Sequence, residues 1–211
     1  MGVTTIEGPM GAGKTLTCTM LICEAWKKSL TDIDPATGDW QYPEGRPIYT
    51  TYDLINLPHN KFDLPKMAAM IKQVQDMIEV VGRDDMVEDP FDGALIGLDE
   101  SYLFFDNRRS ASKGNLLFNA LLARTRKLEA DIFINVLSIN DIDKRIRRFV
   151  TTRIKPKTSE ASPWVRLFMK DMRSGAMTRA RFYGPNYYDE YRTGERVALP
   201  NRLLVLPEVD G

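Results

Sequence analysis

The residues most able to do chemistry lie close to the N-terminus. Residues 8–15 read Gly-Pro-Met-Gly-Ala-Gly-Lys-Thr and fit the pattern G-x-x-x-x-G-K-[ST] in full. Glycines let the backbone curl so that its N–H groups point at phosphate oxygens, and the following helix N-terminus adds partial positive charge. The stretch predicts an ATP site formed by Gly8, Pro9, Met10, Gly11, Ala12, Gly13, Lys14, Thr15 and Leu16.

Two side chains of this stretch have predicted roles of their own. Lys14 is expected to reach the β- and γ-phosphates, and the Thr15 hydroxyl is expected to bind Mg²⁺. The alternative is a structural glycine turn. The context disfavours it, because a β-rich run at residues 3–7 precedes the glycines and a helical apolar pattern follows them.

A second group of candidates follows a buried-type strand at residues 94–98. Because ligands of open α/β folds bind at the carboxyl ends of strands, Asp99 is placed to hold Mg²⁺, through water. Glu100 points differently and is the predicted general base for the attacking water, a role worth roughly 10²–10⁴-fold in rate. An acidic strand end beside a loop is the alternative. The pair favours an ATPase over a small-molecule kinase, which must exclude water.

The elements that position these residues alternate between strand and helix. Strands are predicted at residues 3–7, 47–52, 94–98, 131–137 and 151–154, and helices at 14–29, 64–81, 115–127 and, short and basic, 141–149. This order predicts an α/β fold with a mainly parallel sheet flanked by helices on both faces. Residues 164–183 predict a C-terminal β-hairpin that turns at Arg173-Ser174-Gly175.

Length and composition set further bounds. The 211 residues predict a single domain, with a core over about 1–155 and a hairpin and tail over about 156–211. Twenty-nine basic residues balance 29 acidic ones, so a nucleic-acid surface must be a local patch. No apolar run approaches the roughly 18 residues of a membrane span, and no signal peptide is visible. The expected location is the cytoplasm.

Later segments carry a family resemblance. The Asp99-Glu100 strand resembles that of additional-strand ATPases, and three further segments narrow the resemblance to FtsK/HerA-type viral ATPases, both genome-packaging ATPases and Zot-like assembly ATPases of filamentous phages. These segments are Leu-Leu-Ala-Arg-Thr-Arg-Lys at 121–127, Ala-Asp-Ile-Phe-Ile at 130–134 and Ile-Asp-Lys-Arg-Ile-Arg at 142–147. The tail at 188–195 is similar to a Y-D-T-x-E motif of these families. The resemblance covers nearly the whole chain.

This resemblance implies a homo-oligomeric ring with ATP between neighbouring subunits. The implied partners are double-stranded DNA and a viral capsid or portal vertex, and the implied location is the host cytoplasm or the virion. The family's arginine finger has Arg124 and Arg126 as its best matches; surface arginines that complement a helix dipole are the alternative. The family's sensor glutamine is absent, and Ser138 or Asn140 is the expected substitute.

Two basic groups remain open at this point. Lys144, Arg145, Arg147 and Arg148 form one, and Arg166, Lys170, Arg173, Arg179 and Arg181 form the other. The alternatives for the first group are contact with DNA, contact with a neighbour's nucleotide, or exposure to solvent. For both groups a solvated charged face is the default interpretation.

We expect a DNA-translocating ATPase for viral genome packaging first. The Zot-like role in virion assembly and export comes second. Zot-like ATPases carry a membrane anchor, whereas this sequence shows no apolar run long enough for one. A nucleotide-gated switch or a P-loop nucleoside kinase are the further alternatives.

Overall fold

The structure is a computed structural model that describes residues 2–61, 64–83, 86–99 and 113–192. Its centre is an eight-stranded sheet in the order β4-β2-β5-β6-β1-β7-β8-β9, and β3 pairs with β10 in a separate antiparallel ribbon. The strands are β1 Gly2–Glu7, β2 Ile48–Thr50, β3 Asp53–Leu54, β4 Asn60–Lys61, β5 Leu95–Leu98, β6 Asp131–Val136, β7 Val150–Ser159, β8 Ser162–Asp171, β9 Met177–Tyr183 and β10 Tyr191–Arg192.

The six neighbouring strands β4, β2, β5, β6, β1 and β7 run parallel. The strands β7, β8 and β9 pair antiparallel, each with the next. Within the described ranges the α-helices are α1 Lys14–Ser29, α2 Leu64–Val81, α3 Lys113–Arg124 and α4 Lys144–Arg147, and 3-10 helices span Ile139–Asp141 and Gly184–Glu190. The predicted α/β fold with a mainly parallel sheet and a C-terminal hairpin is therefore confirmed.

Two hydrophobic clusters cover the two faces of the sheet. On one face α1 packs against Ile6, Leu95 and Phe133. On the other face α2, α3 and α4 pack against Ile96 and Ile132. All four residues of β5 are buried, and five of the six in β6, as is typical of strands covered on both sides. The central strands are thus held rigidly where their carboxyl ends meet the candidate site.

Several predicted bounds differ from the structure. The α3 helix ends at Arg124 instead of residue 127, because the chain turns there and Glu129 takes a positive φ before β6 begins. The basic segment at 141–149 is not one helix: Asp143 accepts a hydrogen bond from Arg145 N at 2.7 Å and starts the four-residue α4. The β7 strand continues to Ser159, five residues past its predicted end.

The structure bears on two whole-chain expectations. Within the described ranges, no helix is both long and apolar enough to cross a bilayer. The predicted boundary at about residue 155 falls inside β7, because this strand continues from the parallel part of the sheet into the hairpin. The single domain over 1–211 stays a prediction, since residues 193–211 lie outside the described part.

Candidate active site

The loop expected to hold phosphates joins the end of β1 to the start of α1. Gly8 N donates to the Val136 carbonyl at 3.3 Å, which ties the loop to the carboxyl end of β6. Gly11 and Gly13 have φ of +75° and +86°, a region that residues with a Cβ rarely adopt. A Cβ on Gly13 would also lie 2.8 Å from Thr158 Cγ2. Both glycines are required by the shape of the loop.

Lys14 lies folded over this loop. Its Nζ donates to the carbonyls of Gly8 and Pro9, both at 2.9 Å, which keeps the ammonium inside the curl at the start of α1. Met10 at the loop tip is largely exposed, whereas the side chain of Leu16 is buried in the core. Leu16 can therefore face a nucleotide only through its backbone.

Thr15 and Asp99, the two predicted Mg²⁺ ligands, are brought together. Thr15 Oγ1 donates to Asp99 Oδ2 at 2.7 Å, across 84 residues of sequence. Asp99 Oδ1 accepts from Asn135 Nδ2 at 3.0 Å, and the Asp99 backbone N donates to Thr51 Oγ1 at 2.8 Å. The carboxylate is therefore held in a defined orientation beside the first turn of α1.

This donor set fits Mg²⁺, because hydroxyl and carboxylate oxygens are the ligands that this cation prefers. The helix N-terminus and the Lys14 ammonium beside it suit the phosphates that would share the ion. Glu100, the predicted general base, lies outside the described residues, so its role stays a prediction.

Asn135 is a site residue that the sequence analysis missed. It is fully buried in β6, next to β5, and its amide reaches Asp99. The signal was present: Asn135 is the one uncharged polar residue in the otherwise apolar run Ile-Phe-Ile-Asn-Val at 132–136. Burying an amide side chain without a hydrogen bond costs free energy. A polar residue inside a buried strand therefore indicates a hydrogen-bond partner nearby.

The expected sensor substitutes bond locally. Ser138 Oγ accepts from Asn140 N at 3.3 Å, and Ser138 N donates to Asp141 Oδ2 at 2.8 Å, so Ser138 caps the 3-10 helix after β6. Asn140 Oδ1 accepts from Arg147 at 3.4 Å. None of these three bonds leads to Asp99, whereas Asn135 contacts it directly.

A buried ion pair supports the loop from below. Arg153 of β7 donates from Nε and Nη2 to both carboxylate oxygens of Glu7, at 2.6 and 2.7 Å, and Thr5 Oγ1 donates to Glu7 at 3.1 Å. These hydrogen bonds raise the pKa of the Arg153 guanidinium. Glu7 is the last residue before Gly8, so β7 is bonded directly to the strand that carries the loop.

Neutral groups lie under the Asp99 end of the site. Burial raises the pKa of the Cys18 thiol and of the Tyr52 hydroxyl, so both stay uncharged at neutral pH. Tyr52 Oη accepts from Thr19 Oγ1 at 3.3 Å. The site therefore has no competing anion from these two residues beside Asp99.

The two predicted arginine-finger candidates lie away from this site. Both precede Asp131, which begins β6, whereas the phosphate loop is tied to Val136 at the other end of that strand. Arg124 forms an ion pair with the nearly buried Asp89 at 2.8 Å, and Arg126 is exposed. Neither reaches the loop of its own subunit, so a catalytic role for either requires a neighbour.

The basic α4 segment divides into bound and exposed side chains. Arg147 Nε donates to the Ile142 carbonyl at 2.9 Å, which holds it against the preceding turn. The exposed members are Lys144, Arg145 and Arg148. Their predicted contact with DNA or a neighbour stays a prediction.

Comparison with known proteins gives one family match. The family model described as zonular occludens toxin (Zot) matches residues 3–161. Among solved structures, the N-terminal domain of zonular occludens toxin from Neisseria meningitidis matches with a TM-score of 0.56 and 17% identity, over 90% of this chain and 98% of that chain.

Two other solved structures share the fold at lower identity. B204, the DNA-packaging ATPase from Sulfolobus turreted icosahedral virus, matches with a TM-score of 0.51 and 10% identity, over 84% of this chain and 96% of that one. The cytoplasmic domain of the type VII secretion ATPase EccC from Thermomonospora curvata has a TM-score of 0.51 and 9% identity, over 86% of this chain and 24% of that one. No curated protein matches significantly.

Proposed function

Because the chain belongs to the zonular occludens toxin (Zot) family, we propose that it is an ATPase in which hydrolysis drives the movement of viral DNA. The observation that carries the proposal is the 2.7 Å hydrogen bond between the Thr15 hydroxyl and the Asp99 carboxylate. It joins the glycine-rich loop and the acidic strand end at one edge of the sheet, as a nucleoside triphosphatase requires.

In this proposal each side chain has a separate task. The backbone N–H groups of the loop and the Lys14 ammonium bind the β- and γ-phosphates. Thr15 and Asp99 would hold Mg²⁺, and the ion would neutralise charge on the phosphate oxygens. Asn135 keeps the Asp99 carboxylate oriented through its 3.0 Å hydrogen bond. Glu100 accepts a proton from the attacking water.

The role of Glu100 is tested by Glu100→Gln. The amide keeps the size of the side chain but cannot accept the proton, so we expect ATP affinity like that of the parent and turnover reduced by about 10²-fold or more. Glu44→Gln, an exposed acidic residue in the loop before β2, is the matched control. Unchanged turnover in Glu100→Gln would assign the base to another residue.

Two roles fit such a motor. Genome packaging is the first, supported by the fold shared with B204, a DNA-packaging ATPase. Assembly and export of virions, as in Zot-like ATPases of filamentous phages, is the second, and it is favoured by the family to which the chain belongs. In both roles the proposed working form is a homo-oligomeric ring in the host cytoplasm, with a capsid or portal vertex as the partner in packaging.

Turnover measured with and without double-stranded DNA separates these roles. A packaging motor is expected to hydrolyse ATP faster on duplex DNA. As it moves along the duplex, it is also expected to displace a third strand that has been annealed to it as a triplex. Lys14→Ala is the inactive control. Hydrolysis without any response to duplex DNA would favour the assembly role. Tight nucleotide binding without hydrolysis would instead indicate a nucleotide-gated switch.

A further inference from the structure

The antiparallel strands β7, β8 and β9 present one uncovered face that the phosphate site does not explain. Residues that lie opposite each other on neighbouring strands share a face of the sheet. Three aromatic side chains share it, Trp164, Phe168 and Tyr183, together with six exposed basic ones, Lys155, Lys157, Arg166, Lys170, Arg179 and Arg181. We call these nine residues the basic-aromatic face. Arg153, opposite Lys170, is only partly exposed and is bonded to Glu7.

On β7 and β8, alternate residues point into the core, whereas β9 is exposed on nearly its whole length. Val165 and Leu167 of β8 and Ile154 of β7 are at most 4% exposed and pack in the cluster that contains α1. All six basic residues of the opposite face are exposed, and Trp164 and Tyr183 are each 40% exposed. Large aromatic rings on the solvent side of a sheet are not needed for its core, so they indicate a binding surface.

The charge of this region is strongly one-sided. Residues 150–183 hold eight basic and two acidic residues, although the whole chain is balanced. The acidic ones, Glu160 and Asp171, are at the two hairpin turns, where Asp171 accepts from the backbone N of Arg173 and of Ser174 at 2.8 and 2.7 Å. Among the described residues, no carboxylate forms an ion pair with the basic-aromatic face.

Cations and rings are stacked on one another in this face. The Arg181 guanidinium carbon lies 4.7 Å from the centroid of the Trp164 ring, and that of Arg179 lies 5.8 Å from the centroid of Phe168. The rings of Trp164 and Tyr183 meet edge to face at 5.4 Å. These contacts hold the aromatic planes and the guanidinium groups in place before any ligand arrives.

We propose that the basic-aromatic face binds single-stranded nucleic acid. Such binding combines a positively charged track for the backbone with rings on which bases stack, and both components alternate here along two adjacent strands. A pocket of about 330 Å³ lies between Ser159, Ser162, Trp164, Arg166 and Arg181, so a base can insert next to Trp164. Duplex DNA is a poorer ligand, because its bases are already stacked.

The same strands contact the phosphate loop. Thr158 of β7 donates from Oγ1 to the Gly11 carbonyl at 3.1 Å, and Lys157, a member of the face, is its neighbour in sequence. The polymer site and the ATP site are thus joined by one strand. This inference rests on the proposed function for what the bound nucleic acid does, namely that ATP hydrolysis moves it. The binding itself requires no ATP.

Binding is measured on the full chain without nucleotide, with a fluorescein-labelled 20-nucleotide oligothymidylate and a duplex of equal length, over a range of salt. We expect oligothymidylate to bind more tightly than duplex. Arg166→Gln/Arg181→Gln is expected to lower the log–log salt slope by about 1.4, because each lost phosphate contact on a single strand contributes about 0.7. Lys27→Gln/Lys28→Gln on α1 is the control of equal charge change and should keep the slope of the parent.

Stacking is tested separately through Trp164. Trp164→Ala is expected to weaken oligothymidylate binding by about tenfold or more. In the parent, a base stacked on Trp164 is expected to quench its fluorescence. Trp164→Phe is expected to retain most of the affinity but to lose this quenching, since the remaining tryptophans, Trp26 and Trp40, lie outside the basic-aromatic face. Thermal melting establishes that each variant is folded.

Three outcomes would overturn the proposal. Equal affinity for duplex and single strand would make the face a non-selective charged surface. Unchanged binding in both the arginine and the Trp164→Ala variants would place the polymer elsewhere. No binding of oligothymidylate by a parent protein that hydrolyses ATP would refute the inference while leaving the proposed ATPase intact.

Discussion

Asp99 is the residue at which the two halves of the site meet. Its side chain is bonded on one oxygen to Thr15 at the start of α1 and on the other to Asn135 in β6, and its backbone N is bonded to Thr51 after β2. Three separate segments therefore fix this one residue, two of them through its carboxylate. An orientation set this firmly in advance reduces the reorganisation needed when a metal and phosphates bind.

Asn135 is expected to act through Asp99. Outer partners of metal ligands are typically worth 10–100-fold in metal affinity or activity, so Asn135→Ala should lower Mg²⁺-dependent turnover by about that factor. The affinity for nucleotide measured in EDTA should change little, since the amide acts on the metal ligand Asp99. Asn186→Ala, on an exposed asparagine, is the control. Equal turnover in Asn135→Ala and the parent would leave the amide with a packing role only.

Lys14→Ala tests the loop itself. The substitution removes the ammonium that bonds to the Gly8 and Pro9 carbonyls inside the curl of the loop. Calorimetry is expected to detect no tight binding of ATP·Mg²⁺ by the variant. Lys28→Ala, at the exposed last turn of α1, should bind like the parent. If Lys14→Ala retained its affinity, the nucleotide site would have to be sought elsewhere.

At the scale of elements, β7 has two functions in the fold. It continues the parallel sheet beside β1 and then leads into the antiparallel hairpin strands. The Glu7–Arg153 pair fastens it to β1 at the point where the loop begins, with the Glu7 side chain 4% exposed. A carboxylate so deeply buried depends on its partner for compensation.

Arg153→Met should therefore destabilise the chain by about 3 kcal/mol, because it leaves the Glu7 charge buried without its guanidinium. The double variant Glu7→Leu/Arg153→Met removes both charges and is expected to recover much of this loss. Urea unfolding measures both. A double variant as unstable as Arg153→Met, or a single variant as stable as the parent, would mean that the pair contributes little to holding β7.

Local patterns predicted the elements unevenly. The bounds of α1 and α2 match the prediction, because long helices with apolar residues at helical spacing carry their signal within the segment. The two-residue strands β3, β4 and β10 were not predicted. Their pairing depends on partners distant in sequence, as when Tyr191 meets Leu54. Residues 155–159 were missed because Lys155 and Lys157 lie on a face without a cover, so the segment lacks the apolar pattern of a buried strand.

At the scale of the whole molecule, the site residues also differ in how well the sequence predicted them. Those within a local motif were predicted, and those defined by a distant partner were not. Motifs with fixed spacing predicted that Lys14, Thr15 and Asp99 belong to one site, and the structure places them together. Asn135 and Arg153 were missed, because no local pattern tells which neighbour a buried polar residue will meet. The predicted family resemblance is confirmed for Zot, while FtsK/HerA membership stays a broader description.

Neither of the two predicted finger arginines reaches the phosphate loop of its own subunit. Arg124 is engaged by Asp89 at 2.8 Å, and Arg126, which is exposed, lies with it at the sheet edge opposite the phosphate loop. Stabilisation of charge in the transition state is usually the largest catalytic term, and an arginine supplied by a neighbour is worth about 10³–10⁵-fold in related reactions. We therefore expect an isolated subunit to be a poor ATPase, with turnover per subunit rising with protein concentration.

Mixed assemblies test whether Arg126 or Arg124 is that arginine. A Glu100→Gln subunit keeps both arginines, and an Arg124→Gln/Arg126→Gln subunit keeps Glu100, so each alone is expected to be nearly inactive. Mixed in one ring, they form some interfaces with an intact Glu100 site facing intact arginines, and turnover should recover in part. Single variants then assign the role: Arg126→Gln is expected to lose turnover without loss of stability, whereas Arg124→Gln should also lower the melting temperature, because it leaves Asp89 buried without its partner. Stable mixed rings without recovery would exclude both positions, and full activity in a strictly monomeric sample would refute a shared site.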